Sequence, residues 1–177
     1  MAVDKSEIGF NKAFSAIEEK VSEICGLIPP RLRDDFETVK AAVERYPEQF
    51  SLVSDRLKRN LEIVLAAVRQ DGNILSILPS EMLDNEDVVK AAVEGGGAHL
   101  MFVSERLADN KDIVKLFVEI DGCMLAYASD NMKNNPEVVM AAVRNCPMAL
   151  EYASDTVKKD IARATMQNKP IIHPRIS

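Results

Sequence analysis

Residues 60–68 read Asn60-Leu61-Glu62-Ile63-Val64-Leu65-Ala66-Ala67-Val68. The pattern returns as Asn85-Glu86-Asp87-Val88-Val89-Lys90-Ala91-Ala92-Val93 and as Asn110-Lys111-Asp112-Ile113-Val114-Lys115-Leu116-Phe117-Val118. A further copy is Asn135-Pro136-Glu137-Val138-Val139-Met140-Ala141-Ala142-Val143, and an earlier one opens at Asp35 and runs through Val39, Ala41, Ala42 and Val43. Val39, Val64, Val89, Val114 and Val139 follow one another at a constant step of 25 residues. A fixed period of this length is the signature of a repeat architecture and outranks any single local reading.

Each module reads as two halves. The first opens on a side chain able to cap a helix: Asp35, Asn60, Asn85, Asn110, Asn135, and Asp160 in a decayed last copy. Such a cap accepts hydrogen bonds from the free amides of the first turn and is worth about 1 kcal/mol. An acid follows two residues later (Glu37, Glu62, Asp87, Asp112, Glu137), where negative charge favours the positive end of the helix dipole. Val39, Ala42, Val43 and their counterparts are expected to face inward, with small Ala41 and Ala42 letting neighbouring helices approach. Helices this short are marginal alone, so packing must hold them.

The second half starts at a column of breakers, Pro47, Gly72, Gly97, Gly122 and Pro147. Two buried columns are expected next: Phe50, Leu75, Leu100, Leu125, Leu150, and then Leu52, Ile77, Phe102, Tyr127, Tyr152. Ser54, Pro79, Ser104, Ser129 and Ser154 are placed to start a final helical turn anchored by Leu57, Met82, Leu107, Met132 or Val157.

At either end the pattern changes. Phe10, Phe14, Ile17, Val21 and Ile24 form one helical stripe, so residues 1–26 are expected to be a long capping helix over an open end of the stack. Residues 27–160 carry the tandem modules. Residues 161–177 read as a degenerate cap, with one short helix near Ile161–Met166 and an extended tail broken by Pro170 and Pro174. The expected fold is all-α: an α-solenoid of about five to six short repeats.

Composition agrees with that class. Of 177 residues, 47% are apolar, only 5% are aromatic and none is Trp, which suits an aliphatic, alanine-rich helical core. A net charge of −6 suits a phosphate backbone poorly, so a nucleic-acid partner is not expected. Cys25, Cys123 and Cys146 are an odd number without C-x-x-C spacing, which points to free thiols in a reducing compartment. With neither a signal-peptide pattern nor an apolar run of membrane-spanning length, a cytoplasmic location is expected.

The pattern Asn/Asp-x-acid-Val-Val-x-Ala-Ala-Val, followed by Gly-x-x-Leu-x-x-Ala-Ser-x-x-Leu-x-x-Asn/Asp, resembles a helical repeat family catalogued only as a domain of unknown function. Its closest copy of the second half is Gly122-Cys123-Met124-Leu125-Ala126-Tyr127-Ala128-Ser129. The family occurs in bacteria and protists, including effector proteins of intracellular pathogens such as Legionella. The resemblance implies an α-helical scaffold, no catalytic residues, and secretion into a host cell where a member is an effector.

Few residues invite chemistry. His99 and His173 lack a Cys or carboxylate partner at fixed spacing, and no set of ligands for a metal or cofactor stands out. Cys25 falls in the Phe50/Leu75 column and reads as a core thiol. Cys123 and Cys146 lie near the bends of adjacent modules and could approach one another. Gly95-Gly96-Gly97 lacks the strand and Gly-Lys-Ser/Thr context of a phosphate loop, and reads as a frayed helix end.

The expected function is therefore binding of a protein or peptide by a non-enzymatic scaffold. Two surface rows are candidates for contact: Ile74, His99 and Met124 in one variable column, and Leu65 and Met140 where apolar residues interrupt the column of Lys40, Lys90 and Lys115. Two other readings compete. One is a regulatory or inhibitory subunit of a neighbouring enzyme. The other is an enzyme with a cryptic site near His99, Cys123 and Cys146. Oligomeric state and partner identity are not encoded in any motif.

Overall fold

The computed structural model describes residues 27–167. Among them every regular element is helical and there is no strand. The chain divides into two compact units, with the boundary between Ala98 and His99. The expected capping helix over 1–26, with Cys25, lies outside the described residues, as does the tail from 168 onward with His173.

In the first unit, α1 (Phe36–Arg45), α2 (Leu61–Val68) and α4 (Glu86–Gly95) pack in succession, each against the next. Between them run 3-10 segments at Pro47–Leu52 and Gly72–Ile77, each followed by a short turn: 3-10 Leu57–Arg59 and α3 (Ser80–Leu83). The second unit repeats the plan. It comprises 3-10 Leu100–Phe102, α5 (Glu105–Ala108), α6 (Lys111–Ile120), 3-10 Gly122–Tyr127, α7 (Asp130–Lys133), α8 (Pro136–Asn145), 3-10 Pro147–Tyr152 and α9 (Asp155–Gln167). Here α6 packs on α8, and the two six-residue 3-10 segments lie side by side.

The caps form where the sequence places them. Asn60 Oδ1 accepts from the amides of Glu62 (3.0 Å) and Ile63 (3.2 Å). Asn85, Asn110 and Asn135 repeat the arrangement, and Asp35 accepts from Thr38 at 2.9 Å. Val39, Val64, Val89, Val114 and Val139 are all at 0% exposure. Burying each contributes on the order of 2 kcal/mol. Ala67, Ala92, Phe117 and Ala142 line up beside them in the core. In the first module the column is looser: Ala42 is half-buried and Ala41 is exposed.

Successive modules are stitched by the serine column. The Ser129 amide donates to Ala108 O at 3.0 Å, Ser154 to Lys133 O at 3.0 Å, and Ser54 to Arg33 O at 2.9 Å. Each hydroxyl also donates to the preceding module, Ser54 and Ser129 to Asp34 and Asp109, and Ser154 to Asn134 at 2.6 Å. The same oxygens accept from the amides of Leu57, Met132 and Val157, capping the turn that follows. Pro79 holds this place in the second module and has no N–H to give.

The structure departs from the expected pattern in the second half of the module and at the C-terminal end of the repeats. The second apolar column of the second half is not buried: Ile77, Tyr127 and Tyr152 are 45%, 48% and 41% exposed, while Leu52 and Phe102 are half-buried. At three residues per turn a step of two leaves the side of the first column, and neighbouring elements leave the side it reaches uncovered at these positions. Gly72, Leu75 and Leu78 share the inner face, as do Gly122, Leu125 and Ala128. A step of three from Leu75 reaches Leu78, whereas a step of two reaches solvent. Leu150, at the end of the first column, is only half-buried.

The glycine column does more than break helices. A Cβ on Gly72 would lie 2.2 Å from Ala92 O, and one on Gly122 2.1 Å from Ala142 O, so these positions let one module sit against the next helix. Finally, α9 runs unbroken from Asp155 to Gln167, so Asp160 lies inside a helix rather than capping a new one. The turn begun at Asp155 simply continues through it, because nothing between them breaks the helix.

Candidate docking surface

The 3-10 segments carry the most distinctive surface. In the second unit Phe102, Tyr127 and Tyr152 end their segments at equivalent places, one per module. Each is the last residue before the chain turns extended, with φ/ψ of −75/148 at Val103, −73/161 at Ala128 and −68/156 at Ala153. That turn sends Val103, Ala128 and Ala153 into the core and leaves the preceding side chain at the rim. His99 sits among these rings. Its imidazole meets Tyr127 edge-on at 4.7 Å and Phe102 at 6.2 Å between centroids. Nδ1 of His99 accepts from the Met101 amide at 3.2 Å, so the ring caps its own 3-10 segment and is held in place. Met101, 54% exposed, extends the patch.

The first unit presents an aliphatic version of the row: Leu27 and Ile77 exposed, Leu52 half-buried. A separate groove of about 640 Å³ runs along α1 and α2, lined by Lys40, Glu44, Leu61, Leu65 and Arg69 among others. Lys40 reaches across it to Glu62, whose hydrogen bond and charge raise the lysine's pKa.

The residues singled out from sequence fall differently. Ile74 and Met124 are 4% and 9% exposed, and their column-mates Gln49 and Ala149 are also buried. His99 is half-buried. Ile74 and Met124 thus face inward, and of this column only His99 reaches the aromatic row. The column's variation matches a space whose filling changes from module to module. Gln49, for example, uses it to accept the Ile28 amide at 3.3 Å. The exposed row lies three residues further on, one 3-10 turn along the same side. Leu65 and Met140 are half-buried, and Leu65 lines the groove.

Electrostatics on the α6–α8 face centre on Glu137. It pairs with Lys111 and, at 2.8 Å, with Lys115. These two hydrogen-bonded ammonium groups hold its carboxyl at about 2. The charged column thus serves module-to-module pairing, as it does between Lys40 and Glu62.

Cys123 and Cys146 do approach, with Sγ atoms 2.8 Å apart. The contact with Cys146, then loss of water, then the charge of Asp121 push the Cys123 thiol up to about 11. That is the opposite of what an activated nucleophile needs. His99 contacts aromatic rings, and the structure does not join it to the thiols. Among the described residues no group of His, Cys, Asp or Glu is arranged to hold a metal ion. No helix among them is long and apolar enough to cross a membrane.

Fold and surface together define a helical-repeat protein whose modules pack in order within each unit and carry an apolar residue at a constant place. The family described as Domain of unknown function (DUF4116) matches residues 35–83, 85–130 and 110–158, and this chain belongs to it. The three matches begin at Asp35, Asn85 and Asn110, all helix caps, so the family unit spans a pair of modules in phase with the caps. Neither the curated proteins nor the solved structures gave a match.

Proposed function

We propose that this chain is a non-enzymatic repeat scaffold that binds a protein or peptide along the row of Phe102, Tyr127 and Tyr152. The observation that carries the reading is an aromatic side chain at one place in each module of the second unit, exposed at Tyr127 and Tyr152 (48% and 41%) and half-buried at Phe102. Single exposed apolar residues are ordinary, but a row in register is not. Tyrosine supplies a large apolar face with a polar tip at low conformational cost, which is why it is enriched where proteins meet. Held on hydrogen-bonded 3-10 segments, these rings are pre-organised. The resemblance to repeat proteins of bacterial effectors supports one extension of the reading, to action in the cytoplasm of a host cell.

The test compares capture of partners from a native lysate by the wild-type chain and by Tyr127→Ala/Tyr152→Ala. A partner whose affinity falls about 30-fold or more, the scale of a binding hot spot, supports the row. Equal binding by both chains would move the site elsewhere. Turnover of a small substrate by the purified chain, abolished in His99→Ala, would replace the scaffold reading with an enzyme.

A further inference from the structure

We propose that Cys123 and Cys146 form a redox-active dithiol site, closed to an internal disulfide by exchange with a small disulfide such as oxidised glutathione. The sulfurs are 2.8 Å apart and both residues are half-buried, so a small reagent can reach them. A disulfide bond is about 2.05 Å long, so closure asks for a movement of roughly 0.8 Å.

Both backbones are already held. The Cys146 amide donates to Ala142 O at 2.8 Å at the end of α8, with Pro147 next. The Cys123 amide donates to Asp121 Oδ1 at 2.9 Å at the start of its 3-10 segment. The meeting of these two positions is a product of the repeat. In the first unit the same columns hold Asn73 and Gly96, and there Gly72 N–H donates to Gly96 O at 2.7 Å. In the second unit Gly122 N–H donates to the Asn145 side chain at 2.9 Å instead, and sulfur fills both neighbouring columns. A bond here would staple together the two 3-10 segments that end in Tyr127 and Tyr152.

The exchange balances in two steps. One cysteine, as its thiolate, attacks a sulfur of oxidised glutathione and expels a glutathione thiolate, which takes up the proton the cysteine lost. The other cysteine, losing its proton, attacks the protein sulfur of the mixed disulfide and expels the second glutathione as a thiol. The protein gives up two protons and two electrons, and with them one glutathione disulfide becomes two thiols.

The experiment uses the full chain with Cys25→Ser, so that only this pair reacts. After treatment with oxidised glutathione, intact mass should fall by two hydrogens with no glutathione retained, and a peptide should join positions 123 and 146. Dithiothreitol should reverse both. The ring closed spans one module, so the unfolding temperature should rise on the order of 10 °C on oxidation. Adding Cys146→Ser should leave a stable glutathione adduct on Cys123. Persistent adducts on the intact pair, disulfide-linked dimers or unreacted thiols would overturn the site. An internal disulfide without thermal stabilisation would overturn the staple.

Discussion

Gly122 lies against Ala142 so closely that a Cβ on the glycine would be 2.1 Å from the alanine's carbonyl oxygen. No rotamer change can relieve a clash with backbone. Gly122→Ala should therefore push the 3-10 segment off α8 and cost about 3 kcal/mol, at the upper end of overpacking effects. Gly96→Ala is the comparison. Gly96 has φ of +77°, but a Cβ added there would meet nothing within 4 Å, so only backbone strain applies. With ψ at 160° the residue lies in a region open to little but glycine, and the strain there is about 1–3 kcal/mol. Urea unfolding of both variants checks the order.

Ser129→Ala removes a donor to Asp109 and the cap of the Met132 amide in one change. The expected loss is about 1–2 kcal/mol. Ser76→Ala serves as control, because its hydroxyl reaches only Asn73 O within its own segment, at 2.7 Å. It should change stability by under about 0.5 kcal/mol. Thermal melts of the two variants separate stitching between modules from local turn bonding.

Asn135→Ala leaves the amides of Glu137 and Val138 without their shared acceptor. A loss of about 1 kcal/mol is expected. Hydrogen exchange should speed up first at those two amides, before the rest of α8.

Glu137 sets a pH dependence. Its folded carboxyl titrates at about 2, below the ordinary glutamate value near 4.3 in an unfolded chain. The stabilisation it supplies is therefore complete above roughly pH 4.3 and is lost as pH falls through about 2. Because the pair is exposed, salt should screen it. Carboxyl NMR titration should show the Glu137 midpoint rising in Lys111→Met and rising further in Lys111→Met/Lys115→Met.

Tyr152→Ala tests whether the row is a surface for partners or part of the fold. Its side chain is 41% exposed, so a stability change within about 1 kcal/mol is expected alongside loss of binding. Tyr127→Ala should cost somewhat more, since its ring packs edge-on against His99 at 4.7 Å. Such a pair is worth roughly 0.5–1.5 kcal/mol. Unfolding curves run beside the binding measurements give both numbers.

Local chemistry repeated at a constant step was legible in the chain alone. Asn60, Asn85, Asn110 and Asn135 cap because an amide oxygen beside a free helix start has one good use, and the Val39-to-Val139 column is buried because an α-helix presents one apolar stripe. Tertiary structure decided which side of the second half faces out. Ile74 and Ile77 stand on the same side of a 3-10 segment, three residues apart, yet only Ile74 is covered. Composition cannot distinguish them, since what covers a side chain belongs to neighbouring elements. The same holds for Gly122, whose lack of a side chain matters because of Ala142, and for Cys123, whose partner is brought to it only when one module settles on the next.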